Sequence, residues 1–513
     1  MKKYLIYFNW QMVLPFYGIM LHELNKLLDD PGNEIFLFSC DGKLNNCFVN
    51  KLSDRALCKI CIFAKRVGEK PYSGRIRLLE IGEFVDIEKI HFPEFKYKSV
   101  TEIKKIEYKG CFIGYGALSS YVSYTRNMEP LIDDNFRSYF DSLLQSQIIL
   151  ISVFEKILSE TKFEGIYLYN GRWADVRPIY DICKRNNINV NVLESINNGT
   201  TSFEREIYVN VLPQNIDFVN KKIEKTWEDS PLDYNEKVEI ATEFYEKSRR
   251  SENTRHDLIV YTKNQIANKL PDNWNDNKIN ISILNSSEDE FIALGEEWEK
   301  YRIFPSQEQG IIEILTLFKR NGKYHFYLRI HPNLSEVKYG YHKRLINIEK
   351  EFNNITVIPA ESQVNTYSLI ENSQKVIVFG STVGIEACYL RKPVILLGGT
   401  FYYLQNSAYI PKTLSELHEL ILDEIPPKPI EGAIKYGFYL MNHKSYTETI
   451  FSEPYPLKIF GMTMGYGFKY MKILGSPILF KIIYKCFIIV HQIYRKIIPN
   501  KISIPLKDSQ NIE

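Results

Sequence analysis

Residues 376–399 read VIVFGSTVGIEACYLRKPVILLGG. Two β-branched apolar runs bracket a short segment that holds Ser381, Thr382, Gly384 and Glu386. Runs of that composition predict strands buried on both faces, as in a parallel sheet covered by helices. The segment between them predicts a strand end, a turn and a helix start. In open parallel sheets ligands gather beyond the carboxyl ends of the strands, where helix N-termini converge. Two hydroxyls and the helix opened by Gly384 suit a phosphate or pyrophosphate there. Glu386, one turn in, is placed to accept hydrogen bonds from ribose hydroxyls. Helix capping by Ser381 or Thr382, with Glu386 closing a capping box, is the competing and compatible reading.

Similar strand ends lie upstream. KINISIL (residues 278–284) reads as a strand that delivers Ser286 and Ser287 to a second anion-binding turn, with N-capping by Ser287 as the alternative. HFYLRI (residues 325–330) is a strand carrying Arg329 and ending at His331-Pro332. An imidazole fixed there can donate to a phosphate or assist a departing nucleotide. ITVIPA adds a shorter strand and NTYSLIENS a helix.

The first half alternates in the same way. Strands are read at residues 4–8, 34–40, 165–170 and 189–195, with helical patterns near 13–28 and 173–185. Such βαβ alternation predicts doubly wound parallel sheets. YNGRWADVRP, after the strand at 165–170, brings Asn170, Arg172 and Asp175 towards a cleft, and Glu194 ends the next strand. Asn170 and Arg172 are the acceptor-side candidates. Asp175 or Glu194 suits the general base for an acceptor hydroxyl, although a salt bridge to Arg172 or Arg177 is the simpler reading of each.

The fold class expected is therefore α/β, with two Rossmann-like doubly wound domains facing a cleft. Residues 1–225 form the first, 226–256 a charged bridging helix, 257–430 the second, and 431–513 a helical region. At 513 residues the chain is too long for one core. A net charge of +2 argues against a nucleic-acid binder, and aromatic residues at 14% suit sugar-stacking or membrane-interface surfaces. The opening MKKYLIYFNWQMVLPFYG mimics a signal peptide, but Asn9 and Gln11 break the apolar run and no small-residue cleavage site follows. With no uninterrupted bilayer-length apolar span read either, the expected location is the cytoplasm.

Of eight cysteines, Cys40, Cys47, Cys58 and Cys61 cluster. CKIC with two upstream thiols has zinc-binding character, but the spacing matches no common zinc ribbon, and buried reduced thiols are the simpler reading. Residues 457–501 carry eight Lys or Arg and no Asp or Glu. Within ILFKIIYKCFIIVHQIYRKI (residues 478–497), Lys481, Lys485, Gln492 and Lys496 lie close to one helical face. This predicts a basic amphipathic helix on the anionic inner face of the membrane, with a helix packed on the protein as the alternative.

RIHPNL, then VNTYSLIENSQKVIVFGSTVGIEACYLRKPVILLGG, resembles the carboxyl-terminal domain of GT-B glycosyltransferases of bacterial capsule and O-antigen synthesis. SILNSSEDEF and IYLYNGRWADVRP look like other recurring segments of such surface-polysaccharide proteins. The His-Pro and Ser-Thr pairs are similar to motifs of bacterial sialyltransferases and Kdo transferases, which use CMP-sugars. The resemblance implies donor-phosphate contacts for His331, Ser381 and Thr382, and a ribose contact for Glu386. It implies no metal cofactor, a CMP- or UDP-sugar donor, and a growing glycan, lipid-linked in some such systems, as acceptor. The acidic pair followed by glycine that supplies the base in sialyltransferases has no clear counterpart here. A sugar-nucleotide epimerase, a polyol-phosphate transferase and a non-catalytic polysaccharide-assembly protein share enough of this pattern to stand as alternatives.

Overall fold

The apolar runs before residue 210 become strands of one sheet: β1 (Lys2–Tyr7), β2 (Asn33–Ser39), β3 (Arg77–Glu80), β4 (Gly165–Tyr169), β5 (Val190–Asn198) and β6 (Phe203–Val209). The computed structural model describes residues 1–450 apart from 12, 15, 51, 52, 54, 199–202 and 255–259, together with 458, 459, 462, 463, 466, 467 and 486. The basic segment read at residues 478–497 therefore lies, except for Cys486, outside the described residues.

The sheet order is β6-β5-β4-β1-β2-β3. All pairs are parallel except β5 with β6. Leu5 of β1 stands opposite Phe36 of β2 and Ile166 of β4, and all three are buried, as strands covered by helices require. Strand β4 stops at Tyr169 because Asn170 and Gly171 adopt left-handed φ of 63° and 80°, which turns the chain out of the sheet. The helix expected from residue 173 begins only at Arg177 and runs to Arg185. Trp173 is instead stacked on Phe48, with ring centroids 4.1 Å apart, and Pro178 sets the first helical turn.

One described helix, Asp134–Glu160, is long and apolar enough to cross a membrane. Here it is packed inside the first half. Phe154 on it meets the rings of Tyr7 and Phe38 edge-on at 5.5 Å and 5.2 Å.

The second sheet comprises β7 (Ile279–Leu284), β8 (Tyr324–Arg329), β9 (Ile355–Ile358), β10 (Lys375–Val378) and β11 (Val394–Leu396). Its order is β9-β8-β7-β10-β11, and every pair is parallel. The chain thus moves outward from β7 through β8 to β9, then crosses back to place β10 on the other side of β7. That reversal opens a crevice at the carboxyl ends of β7 and β10, where doubly wound sheets bind ligands.

Helix Tyr234–Arg249 lies in the region read as a bridge, Ile216–Asp229 only overlaps its start, and Glu431–Met441 packs against both. Within the region read as helical, 431–513, the described residues 448–450 are strand instead. Residues 448–450 form strand β12 (Glu448–Ile450), which returns to the first sheet and pairs antiparallel with β6. Arg205 of β6 holds the crossing by pairing with Glu23 and, at 2.7 Å, with Glu448.

Phe154 is fully buried. Phe154→Ala is expected to cost about 3–5 kcal/mol, seen as a fall of several degrees in the thermal unfolding midpoint. An unchanged midpoint would show that this helix does not carry the first core.

Candidate functional site

The carboxyl ends of β7, β8 and β10 converge on one cavity of about 420 Å³, within the range of small-ligand pockets. Ser286, Ser287, Arg329, His331, Ser381, Thr382 and Glu386 all line it. Gly384 does not. Its N–H is donated to the Ser381 carbonyl, and its missing Cβ leaves room for Tyr402 and Val378, so its role is packing of the helix Val383–Tyr389. The glycine the cavity needs is Gly380, at φ 96°. A Cβ there would come within 2.4 Å of the Gly399 carbonyl oxygen.

The arrangement is electrostatically lopsided. Arg329, the last residue of β8, is 3% exposed. Its guanidinium donates to the carbonyls of Pro359 at 2.9 Å and Ser362 at 3.1 Å, while Nε has no partner among the described residues. It forms no ion pair there. Burial lowers its pKa to about 10, only weakly countered by Glu361, so it stays cationic at neutral pH. A buried cation without a carboxylate is costly unless an anion completes it.

His331 is held in one tautomer. Its backbone N–H donates to Asn285 Oδ1 at 2.7 Å, and its Nδ1 accepts from the Asn333 N–H at 3.1 Å. Burial, with Arg126 and Arg329 nearby, lowers its pKa to about 4 against the opposing pull of Asp289. The ring is therefore neutral at pH 7 and carries its proton on Nε2 as a donor. Tyr261 packs against it, with ring centroids 4.9 Å apart.

The capping reading of the opening segment is not what forms. Thr382 is the N-cap but makes no side-chain cap bond, and Ser381 Oγ accepts only a long 3.4 Å bond from the Val383 N–H. Glu386 accepts from the Tyr367 hydroxyl instead of closing a capping box. Ser286 Oγ donates to the Phe379 carbonyl at 3.1 Å, joining the ends of β7 and β10, and Gln307 donates to it in turn.

The first-half candidates fall elsewhere. Asp175 is wholly buried in the first core, where the Trp10 indole donates to its carboxylate and the Tyr7 hydroxyl to its carbonyl. It is not among the cavity residues, which corrects its placement at the cleft; burial holds its pKa up at about 7. Glu194 accepts from Asn170 at 2.7 Å and Tyr169 at 3.3 Å, and burial raises it to about 7 as well. It too is absent from the cavity wall. Arg172 lies over the Trp173 ring and donates to the Glu290 carbonyl at 3.3 Å, so it touches the cavity loop from outside. Cys40, Cys58 and Cys61 engage Gly42, Asn50 and Gln11 separately, and no described group of three or more His, Cys, Asp or Glu is placed to hold a metal ion.

Sequence reasoning missed Glu290, which lines the cavity and accepts from Asn333 Nδ2 at 2.8 Å. The signal was its place in NSSEDE, three residues beyond Ser287. Tyr367 was legible only as a helix residue. Tyr261 was not singled out either.

Residues 230–406, which span the Tyr234–Arg249 helix and the whole second sheet, match the sequence model of the family described as "Capsule polysaccharide biosynthesis protein". No curated protein matches. Among solved structures, the chain is similar to two Kdo transferase structures of KpsC from Thermosulfurimonas dismutans. The beta Kdo 2,4 transferase is 13% identical over 54% of this chain and 79% of that one, with a TM-score of 0.35. The beta Kdo 2,7 transferase is 16% identical over 57% and 89%, with a TM-score of 0.30. A UDP-GlcNAc 2-epimerase from Neisseria meningitidis, bound to UDP-GlcNAc, is 12% identical over 93% and 100%, with a TM-score of 0.21.

Burial holds the Glu386 carboxyl up at about 7 from an ordinary 4.5, against the hydrogen bond from Tyr367. The stability supplied by the neutral acid is present below about pH 4.5 and is lost as pH rises through about 7. Glu386→Gln cannot titrate. Its gain in unfolding midpoint over the native protein should grow between these two pH values and level off above. A pH-independent difference would remove Glu386 as a neutral buried acid.

Proposed function

We propose that the chain is a glycosyltransferase of capsule polysaccharide synthesis, drawing a nucleotide sugar into the second-sheet cavity and passing the sugar to an acceptor glycan. The observation that carries this reading is the buried guanidinium of Arg329, without an ion pair among the described residues, beside the Nε2–H of His331 at the crevice of a parallel sheet. The family match over residues 230–406 supports the capsule context.

In this reading the donor phosphate lies against Arg329, His331 and the hydroxyls of Ser287, Ser381 and Thr382, and its ribose reaches Glu386. The glycosyl carbon–oxygen bond to phosphate breaks, the nucleotide leaves with that electron pair, and fixed donors stabilise the charge it gains. The acceptor oxygen forms the new bond, and its proton passes to a carboxylate. Glu290 is the candidate base, because Asp175 lies in the first core and Glu194 is off the cavity wall. Burial raises the Glu290 pKa, against the pull of Arg126 and Arg172, towards the range a base needs. No divalent metal is required. Among the described residues Arg329 is the one cationic group lining the cavity, with Glu252 and Glu290 as the ionised acids, which favours a donor with one phosphate over two.

Calorimetric titration of the full chain with CMP, UDP, GDP and CDP tests the cavity. Binding of at least one is expected, tightest for CMP; binding of none would defeat the proposal. With the donor known, His331→Ala should slow transfer by about a hundredfold or more. Glu290→Gln should abolish transfer while keeping nucleotide affinity. Conversion of the sugar nucleotide without an acceptor would replace the transferase by an epimerase.

A further inference from the structure

The loops after β7 and β8 belong to the second sheet, yet one residue of the first half ties them together. Arg126 ends the helix Ile113–Thr125 in a left-handed conformation at φ 60°, which non-glycine residues adopt at a cost. Its Nε and a terminal nitrogen grip both oxygens of Asp289 at 2.6 Å and 3.2 Å. The other terminal nitrogen donates to the Asn333 carbonyl at 2.7 Å. The Tyr341 hydroxyl donates to the Arg126 carbonyl at 3.0 Å, and Tyr339 to that of Thr125 at 2.9 Å, so the strained turn is held from the second half.

Both ends of this clamp lead into the cavity. Asp289 lies between Ser287 and Glu290 on the loop after β7. Asn333 fixes His331 through its backbone N–H, and its side-chain nitrogen bridges Ser287 Oγ at 2.9 Å and Glu290 Oε1 at 2.8 Å. Asp289 is 5% exposed at its side chain, so the pair is shielded from solvent and salt. A planar guanidinium meets a carboxylate in a fork and a carbonyl with its remaining nitrogen; an ammonium offers no such fixed set.

We infer that Arg126 is a positioning residue for the donor site, locking the Ser287–Glu290 loop and the His331–Asn333 loop in register across the contact between the two halves. The inference rests on the proposed nucleotide-sugar site for its functional meaning, but its structural core can be read without a ligand.

Hydrogen exchange of the full-length protein without ligand supplies that reading. In Arg126→Ala, amides of residues 285–291 and 331–334 should exchange about tenfold faster, while those of β7 and β8 stay unchanged. Arg126→Lys should fall between, and it carries the same comparison if the alanine variant does not fold. Titration with CMP, UDP, GDP and CDP adds the functional arm: the dissociation constant of whichever binds should rise about tenfold in Arg126→Ala and less in Arg126→Lys. Unchanged loop exchange in a folded variant, or faster exchange spread evenly over both sheets, would overturn the inference. If the native protein bound none of the four nucleotides, the proposed function would fall while the exchange comparison still decided the clamp.

Discussion

A buried positive charge with no ion pair among the described residues organises the second half of this protein. Arg329 is at the end of a central strand, held by two carbonyl oxygens and facing a cavity. Carbonyl dipoles orient the guanidinium but cannot neutralise it, and burial has not driven off its proton. The surrounding loops are built around that imbalance. Asn285 and Asn333 fix the neighbouring imidazole as a donor, Ser286 ties two strand ends together, and Gly380 lets the chain pass under the Gly399 carbonyl. Each detail shapes the wall of the same volume.

The first half contributes to this volume without lining it. Lys104 pairs with Glu299, Arg177 donates to the Leu294 carbonyl at 3.0 Å, and Glu129 meets Arg344 at 2.6 Å. The Glu129 pair is half exposed and adds little to stability, whereas Arg177 is buried and also bound to Asp181. Ile216, Leu294 and Trp298 add an apolar patch to the same contact. The segment that follows β7 therefore rests on a surface remote from the strand that carries it.

Much of this was legible in the amino-acid pattern, for a physical reason. Strands buried on both faces need uninterrupted Val, Ile, Leu and Phe, and VIVFG, YLRI and NISIL announce themselves. The residues at their carboxyl ends could then be named as neighbours before any distance was known, and Ser286, Ser287, His331, Ser381 and Thr382 do share one cavity. What escaped depends on packing across sequence. Asp175 follows a strand in the same way, but the Trp10 indole draws it inward. Glu290 went unnoticed in the sequence, and only the contacts from Asn333 and the arginines of the first half set it apart. Gly384 looked like a phosphate-loop glycine and is a packing glycine, because Tyr402 fills the space its side chain would need.

The short strand Glu448–Ile450 has a consequence of its own. Without it, β6 would be the outermost strand of the first sheet, offering a row of unpaired amides and carbonyls along Phe203–Arg205. Three residues from the far end of the chain close that row, and Glu448 shares Arg205 with Glu23. The late segment thus acts as a built-in guard against strand exchange between molecules. Until it has been synthesised, the growing polypeptide leaves that stretch of β-edge open, so a late segment completes a sheet begun by the first strands.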